Sequence, residues 1–163
     1  MVLAQYRPQS LIEHIGSGAP WDLNRDISGG VRILTPYKAQ VSDWFIGTAD
    51  ALQQNFTFIK RGNPDHILVL SGDHIYAMDY TKMVNFHLEH DADLTIATIT
   101  VPFEEASRYG IMHYDKNFKV IEFLEKPENP PANTLNLGIY LFKQYVLNQE
   151  LWNDHFRAGS FQD

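Results

Sequence analysis

LVLSGDHIY, residues 68–76, decides how this chain is read. An apolar run stops at Ser71-Gly72, and an aspartate, a histidine and a tyrosine follow at once. With His66 and Ile67 in front, "HILVLS" over 66–71 is a nearly continuous apolar strand, as expected for a strand covered on both faces. Gly-Asp is ordinary turn chemistry, so Asp73 reads first as an Asx turn closing the strand. In open α/β sheets, however, ligands bind beyond the carboxyl ends of the strands. There a carboxylate suits Mg²⁺, a hard ion that takes one or two carboxylates and completes its shell with water and phosphate oxygens. The two readings are compatible.

Working outward, helices and strands alternate on both sides. Upstream, "GTADALQQNFTFIKRG" over 47–62 reads as one helix, with Thr48 as N-cap and Asp50 in the first turn. Its apolar stripe is Leu52, Phe56 and Ile59, and Gly62 closes it. Before it lie a short strand at Val2–Ala4, a helix from Ser10 with Leu11 and Ile15 inward, a loop over 18–30, and a strand within 31–37. Downstream, Asp79 caps a helix whose stripe includes Met83, Phe86 and His90. A β-branched strand covers 93–101 and a short helical piece starts at Phe103. "IMHYD" and "KVIEFLEKP" meet across the "DKNF" turn. A last strand at 135–142 precedes a helical tail. The pattern predicts a three-layer α/β fold in one domain, with a mostly parallel mixed sheet and an antiparallel excursion.

Composition narrows the function. The 163 residues are 44% apolar and 20% charged, ordinary for a globular protein, and they suffice for a real core. A net charge of −7 argues against a nucleic-acid partner, which would call for a basic face. There is no cysteine, so thiolate chemistry is excluded. No apolar run reaches the roughly 18 residues of a membrane span, and no signal pattern is present. The expectation is a cytoplasmic protein with no membrane partner. The sequence contains neither G-x-x-x-x-G-K-[ST] nor G-x-G-x-x-G, and no G-x-S-x-G elbow. The seven histidines are scattered; His87 and His90 share a helix, more simply as a solvated or half-buried face than as zinc ligands.

Three stretches carry candidate chemistry. Asp73 is the first. The second is "LEKP", 124–127: Glu125 and Lys126 point to opposite faces of a regular strand, but a bulge before Pro127 would let both serve one ligand, the lysine on a phosphate and the glutamate on sugar hydroxyls. A solvated strand end is the plainer reading. The third is the Gly47-Thr48-Ala49 turn, whose free backbone N–H groups suit an anion or a base edge, or merely cap the helix. Tyr6 and Gly110 stand beside strand ends and join the list.

Taken in order, "GTADALQQN", "LSGDHIYAMDY", "VPFEEASRYGIM", "VIEFLEKPENPP" and "LNLGIYLF" resemble the sugar-1-phosphate nucleotidylyltransferases, and within them the glucose-1-phosphate adenylyltransferase family. The resemblance covers nearly the whole chain. It implies a Rossmann-like nucleotidyltransferase domain in which ATP and glucose 1-phosphate give ADP-glucose and pyrophosphate, a step of storage-glucan synthesis, with Mg²⁺ as cofactor. By resemblance Asp73 ligates the metal and Lys126 holds the sugar phosphate. Glu125 binds sugar hydroxyls, Gly110 offers backbone to the sugar, and Asn136, where relatives often carry Ser, reaches it too. Tyr6 and Gly47, Thr48 and Ala49 lie near the nucleotide, and Asp163 is the candidate second metal ligand. The intact relatives imply a homo-tetramer.

The departures define a fragment. The family's Gly-rich loop, with its arginine and lysine, has no counterpart here, nor has its C-terminal β-helix, so the chain is expected to be a catalytic domain truncated at both ends and inactive alone. Ile46 stands where many relatives have Arg. Two other readings accompany this one: a nucleotidylyltransferase for another base or sugar, and a non-catalytic, sugar-phosphate-binding regulatory subunit.

Overall fold

The computed structural model describes residues 1–24, 30–36, 44–75 and 77–159. The chain divides into two compact units, Met1–Pro64 with Leu147–Asp163, and Asp65–Val146.

In the first unit, β1 (Val2–Leu3) pairs in parallel with β2 (Ile33–Leu34). Between them lies α1 (Gln9–Ile15), whose N-cap position is Pro8 rather than Ser10 and whose C-cap is Gly16. The expected helix over 47–62 is two helices, α2 (Thr48–Gln54) and α3 (Phe56–Ile59). The break falls at Asn55, whose buried side chain donates to the Ala51 carbonyl (2.9 Å) and so competes with the backbone ladder. Thr48 is the first helical residue and not the cap; Gly47 takes that place, and the Asp50 carboxylate accepts from the Ile46 N–H (2.9 Å). Phe45, Ala51, Phe56, Leu147 and Leu151 are the buried apolar residues of this unit.

The second unit is built on one five-stranded sheet. Its strands are β3 (His66–Leu70), β4 (Leu94–Thr100), β5 (Gly110–Tyr114), β6 (Val120–Glu125) and β7 (Thr134–Lys143). Its helices are α4 (Tyr80–Glu89), α5 (Phe103–Ala106) and the start of α6 (Gln144–Gly159). The α/β class and the mixture of parallel and antiparallel pairing are as expected, but the balance differs from a mostly parallel sheet. Every pairing in the five-stranded sheet is antiparallel, and the parallel pair is β1–β2. The reason is β7. It runs opposite to β3, β4 and β5 and pairs with each, so β4 on one edge is separated from β3 and β5 on the other by a strand of the opposite direction.

The core of this unit lies between α4 and one face of the sheet. Met83 packs on Ile139 and Leu141 of β7, with Leu68, Val84, Ala97 and Leu137 around them. Asp79 caps α4 as expected, accepting from the Thr81 N–H (3.0 Å). The buried stripe of α4 is Met83 and His87; His90 is exposed and stacks on Phe86. β3 is covered less than its composition suggests, since Leu70 is 48% exposed. The Asp115 carboxylate closes the β5–β6 hairpin by accepting from the N–H groups of Asn117 and Lys119 (2.8 and 2.9 Å). Among the described residues no helix is long and apolar enough to cross a membrane.

Candidate active site

The second unit gathers its candidate residues around a gap. One edge of β7 is shared by two strands: β3 pairs with residues 139–143, and β5 meets it through Ile111 and Leu135. Between these contacts, residues 136–138 of β7 have neither neighbour. The carboxyl end of β3 and the start of β5 both open onto that gap. Gly138, at φ 69°, turns the backbone there in the left-handed region that favours glycine. Its N–H, left without a strand partner, donates to the Asn136 side chain (2.9 Å).

A continuous line of contacts follows. A Cβ on Gly138 would sit 3.4 Å from the Ser71 Cβ, which puts the end of β3 directly against the turn. The Ser71 hydroxyl donates to the Asp73 carboxylate. That bond, with one from the backbone, holds the exposed Asp73 carboxyl below the usual carboxylate range, and His74 adds a smaller push in the same direction. On the other side of the gap, Gly110 and Asn136 are the next facing positions after Ile111 and Leu135. Gly110 pairs with Glu125 across the hairpin. A Cβ at Gly110 would come within 3.0 Å of the Glu125 carboxylate and 2.9 Å of the Phe123 ring, so the carboxylate lies directly over the glycine.

Lys126 ends β6 in the left-handed region, φ 45°, rare for a residue with a side chain. Its N–H donates to the Tyr109 carbonyl (3.1 Å), which ties that turn to the residue before Gly110. The irregular backbone undoes strand alternation: the Lys126 ammonium stands 3.7 Å from the Glu125 carboxylate, with both side chains about two-thirds exposed. An ammonium and a carboxylate thus share one side of the strand end, open to solvent.

Asn136 is held within the chain. Its oxygen accepts from Gly138 and its nitrogen donates to the Tyr140 hydroxyl (2.8 Å), so both halves of the amide are engaged within the chain. Ser71, Gly138 and Tyr140 shape the gap and were not singled out in the sequence; the one signal was a glycine inside a strand pattern, which marks a close approach.

The remaining candidates lie in the first unit. Tyr6, just past β1, stacks on Trp44 (ring centroids 6.5 Å apart), with the Arg7 guanidinium 5.4 Å from the Tyr6 ring. The Gln5 side chain accepts from the Phe45 N–H (2.8 Å), so the end of β1 is fastened to the turn that enters α2. Gly47, Thr48 and Ala49 are exposed at that turn. Asp163 lies outside the described residues.

Among the described residues no group of three or more histidines or carboxylates could hold a metal by itself. Mg²⁺ does not require one, because it is commonly bound through one or two carboxylates plus water and phosphate oxygens. A single exposed carboxylate kept in its charged form, as Asp73 is, fits the protein's share of such a shell.

An α/β chain with a carboxylate at a strand end and an ammonium–carboxylate pair across a gap suits phosphate transfer. The chain belongs to the nucleotidyl transferase family, whose model matches residues 1–158. It is 50% identical over 163 residues to the glucose-1-phosphate adenylyltransferase of Ruminiclostridium cellulolyticum, covering 99% of this chain and 38% of that one. It is 53% identical to the Clostridium novyi protein of the same name, with 99% and 42% covered. The chain therefore spans about two-fifths of the length of these relatives.

Proposed function

We propose that this chain carries the sugar-phosphate side of an adenylyl-transfer site, where ATP and glucose 1-phosphate give ADP-glucose and pyrophosphate. The observation that carries the reading is the grouping of Asp73, Gly110, Glu125, Lys126 and Asn136 around one gap along β7. The names of its relatives support the choice of substrates.

An oxygen of the sugar phosphate attacks the α-phosphorus of ATP. The new P–O bond forms as the bond to the β-phosphate oxygen breaks, and pyrophosphate leaves with that electron pair. Such a reaction needs alignment and charge neutralisation more than a protein nucleophile. The Lys126 ammonium meets the negative sugar phosphate. The Glu125 carboxylate accepts from sugar hydroxyls, which fixes the ring's orientation. Gly110 offers its backbone to the sugar, and its missing side chain lets the Glu125 carboxylate come close over it. Asp73 would hold Mg²⁺, which when bound neutralises charge on the phosphates. Tyr6 and the Gly47–Ala49 turn serve the nucleotide. The reading carries with it a cytoplasmic setting, where ATP and phosphorylated sugars are found, and a homo-tetrameric assembly.

Calorimetric titration tests it. The chain is expected to bind glucose 1-phosphate, and Lys126→Ala to abolish that binding. Because its sequence holds no Gly-rich phosphate loop, it is expected not to turn over ATP and glucose 1-phosphate by itself. Sugar-phosphate binding that survives Lys126→Ala unchanged would overturn the assignment of the site.

A further inference from the structure

His87 is the most deeply buried titratable group described in the second unit, 1% exposed, and the proposed reaction has no use for it. It sits on α4 four residues after Met83 and faces the end of the sheet away from the gap. Its Nδ1 shares a hydrogen bond with the Thr95 hydroxyl of β4 (2.7 Å). Its Nε2 has no partner and is closed off from solvent. The His66 ring of β3 lies against it edge to face, centroids 5.0 Å apart. The charged groups around it are Lys143 at the end of β7, and Asp91 and Asp93 in the turn after α4. Both aspartates are already committed to Lys143, at 2.8 and 3.1 Å.

This environment accepts one protonation state. With its single proton on Nδ1, donated to the Thr95 hydroxyl, a neutral imidazole leaves Nε2 a bare acceptor. An imidazolium must carry N–H on both nitrogens, so it would bury a donor with nothing to accept it, next to a second histidine and a lysine. We propose that His87 is an acid-sensitive latch: protonation of its ring releases α4 from β4 and the sheet. Asp79, whose carboxylate accepts from the Thr81 N–H, caps α4 six residues after Asp73 in the sequence, so the consequence extends toward the gap. The latch stands on the packing of α4 alone and does not depend on any role for Asp73.

The direction follows from linkage. Burial first, then His66 and Lys143, push His87 below the ordinary histidine value, and Asp91 and Asp93 only partly oppose them. The opened state therefore binds the proton more readily than the closed one. The latch is fully closed above about pH 6.5 and weakens as pH falls below it, until the closed ring itself takes a proton.

Hydrogen exchange and NMR titration test this together. After correction for intrinsic rates, amides of α4 are expected to lose protection by up to about tenfold per pH unit below pH 6.5. His87→Gln is expected to flatten that dependence, and His90→Gln, on the exposed face of the same helix, to leave it intact. In the unaltered chain the His87 ring signals are expected to stay those of a neutral imidazole at pH values below 6.5, where an ordinary histidine is already largely protonated. A His87 that titrates at or above pH 6.5 would overturn the latch even if His87→Gln failed to fold. So would α4 protection that falls equally in His87→Gln.

Discussion

At the residue scale, the left-handed positions and close approaches explain how a strand end brings an ammonium, a carboxylate and a glycine together. Lys126 at φ 45° is a conformation of the kind that costs about 1–3 kcal/mol when surrounding structure must impose it. Here the hydrogen bond to the Tyr109 carbonyl holds it, and the result is an ammonium beside a carboxylate that regular alternation would have sent to the opposite face. Gly110 is a close approach rather than a left-handed position. Gly110→Ala would drive its methyl against the tips of Phe123 and Glu125, both movable, so the fold should lose no more than about 1 kcal/mol. The Glu125 carboxylate would be displaced, and glucose 1-phosphate binding, read by calorimetry, should weaken on the order of tenfold, the worth of one hydrogen bond. Unchanged affinity would remove Gly110 and Glu125 from the sugar contact. Both residues were visible in the sequence, but their meeting was not, since the register of two strands sets it.

At the element scale, α4 joins the candidate site to the core. Its start is a side-chain cap, its inner stripe is Met83 and His87, and its cap stands six residues after Asp73 in the sequence. Asp79→Ala should destabilise the chain by about 1 kcal/mol, as loss of an N-cap does, with the lowered midpoint seen in urea unfolding. The cap was legible because an aspartate before a periodic apolar run has a local cause. The buried stripe was legible only in part. Periodicity offered Met83, Phe86 and His90 equally, and packing against β7 and Thr95 selected Met83 and His87. The break at Asn55 was missed for a related reason: the helical pattern continues across it, and a single side-chain bond to Ala51 decides the matter.

At the scale of the molecule, one strand organises the second unit. β7 contributes Ile139, with no exposed surface, and Leu141, 3% exposed, to the core, and its other end bears the gap. Ile139→Ala should cost about 2–5 kcal/mol, the range for emptying a well-packed core position. Because core and gap lie on the same strand, calorimetry should show sugar-phosphate binding lost along with the fold. A stable Ile139→Ala chain would mean that the core is centred elsewhere. The sequence by itself determined the order and kind of the elements, because apolar periodicity, caps and turn residues act over a few positions along the chain. It also placed Asp73, Glu125 and Lys126 at strand ends, and ordered motifs pointed to the family. Only the tertiary structure decided that β7 runs against three strands, that β3 and β5 share its edge with a gap between them, and that Asn136 turns its amide inward to Gly138 and Tyr140. Strand order and register depend on contacts between residues far apart in sequence, and no local pattern encodes which strand will be the neighbour.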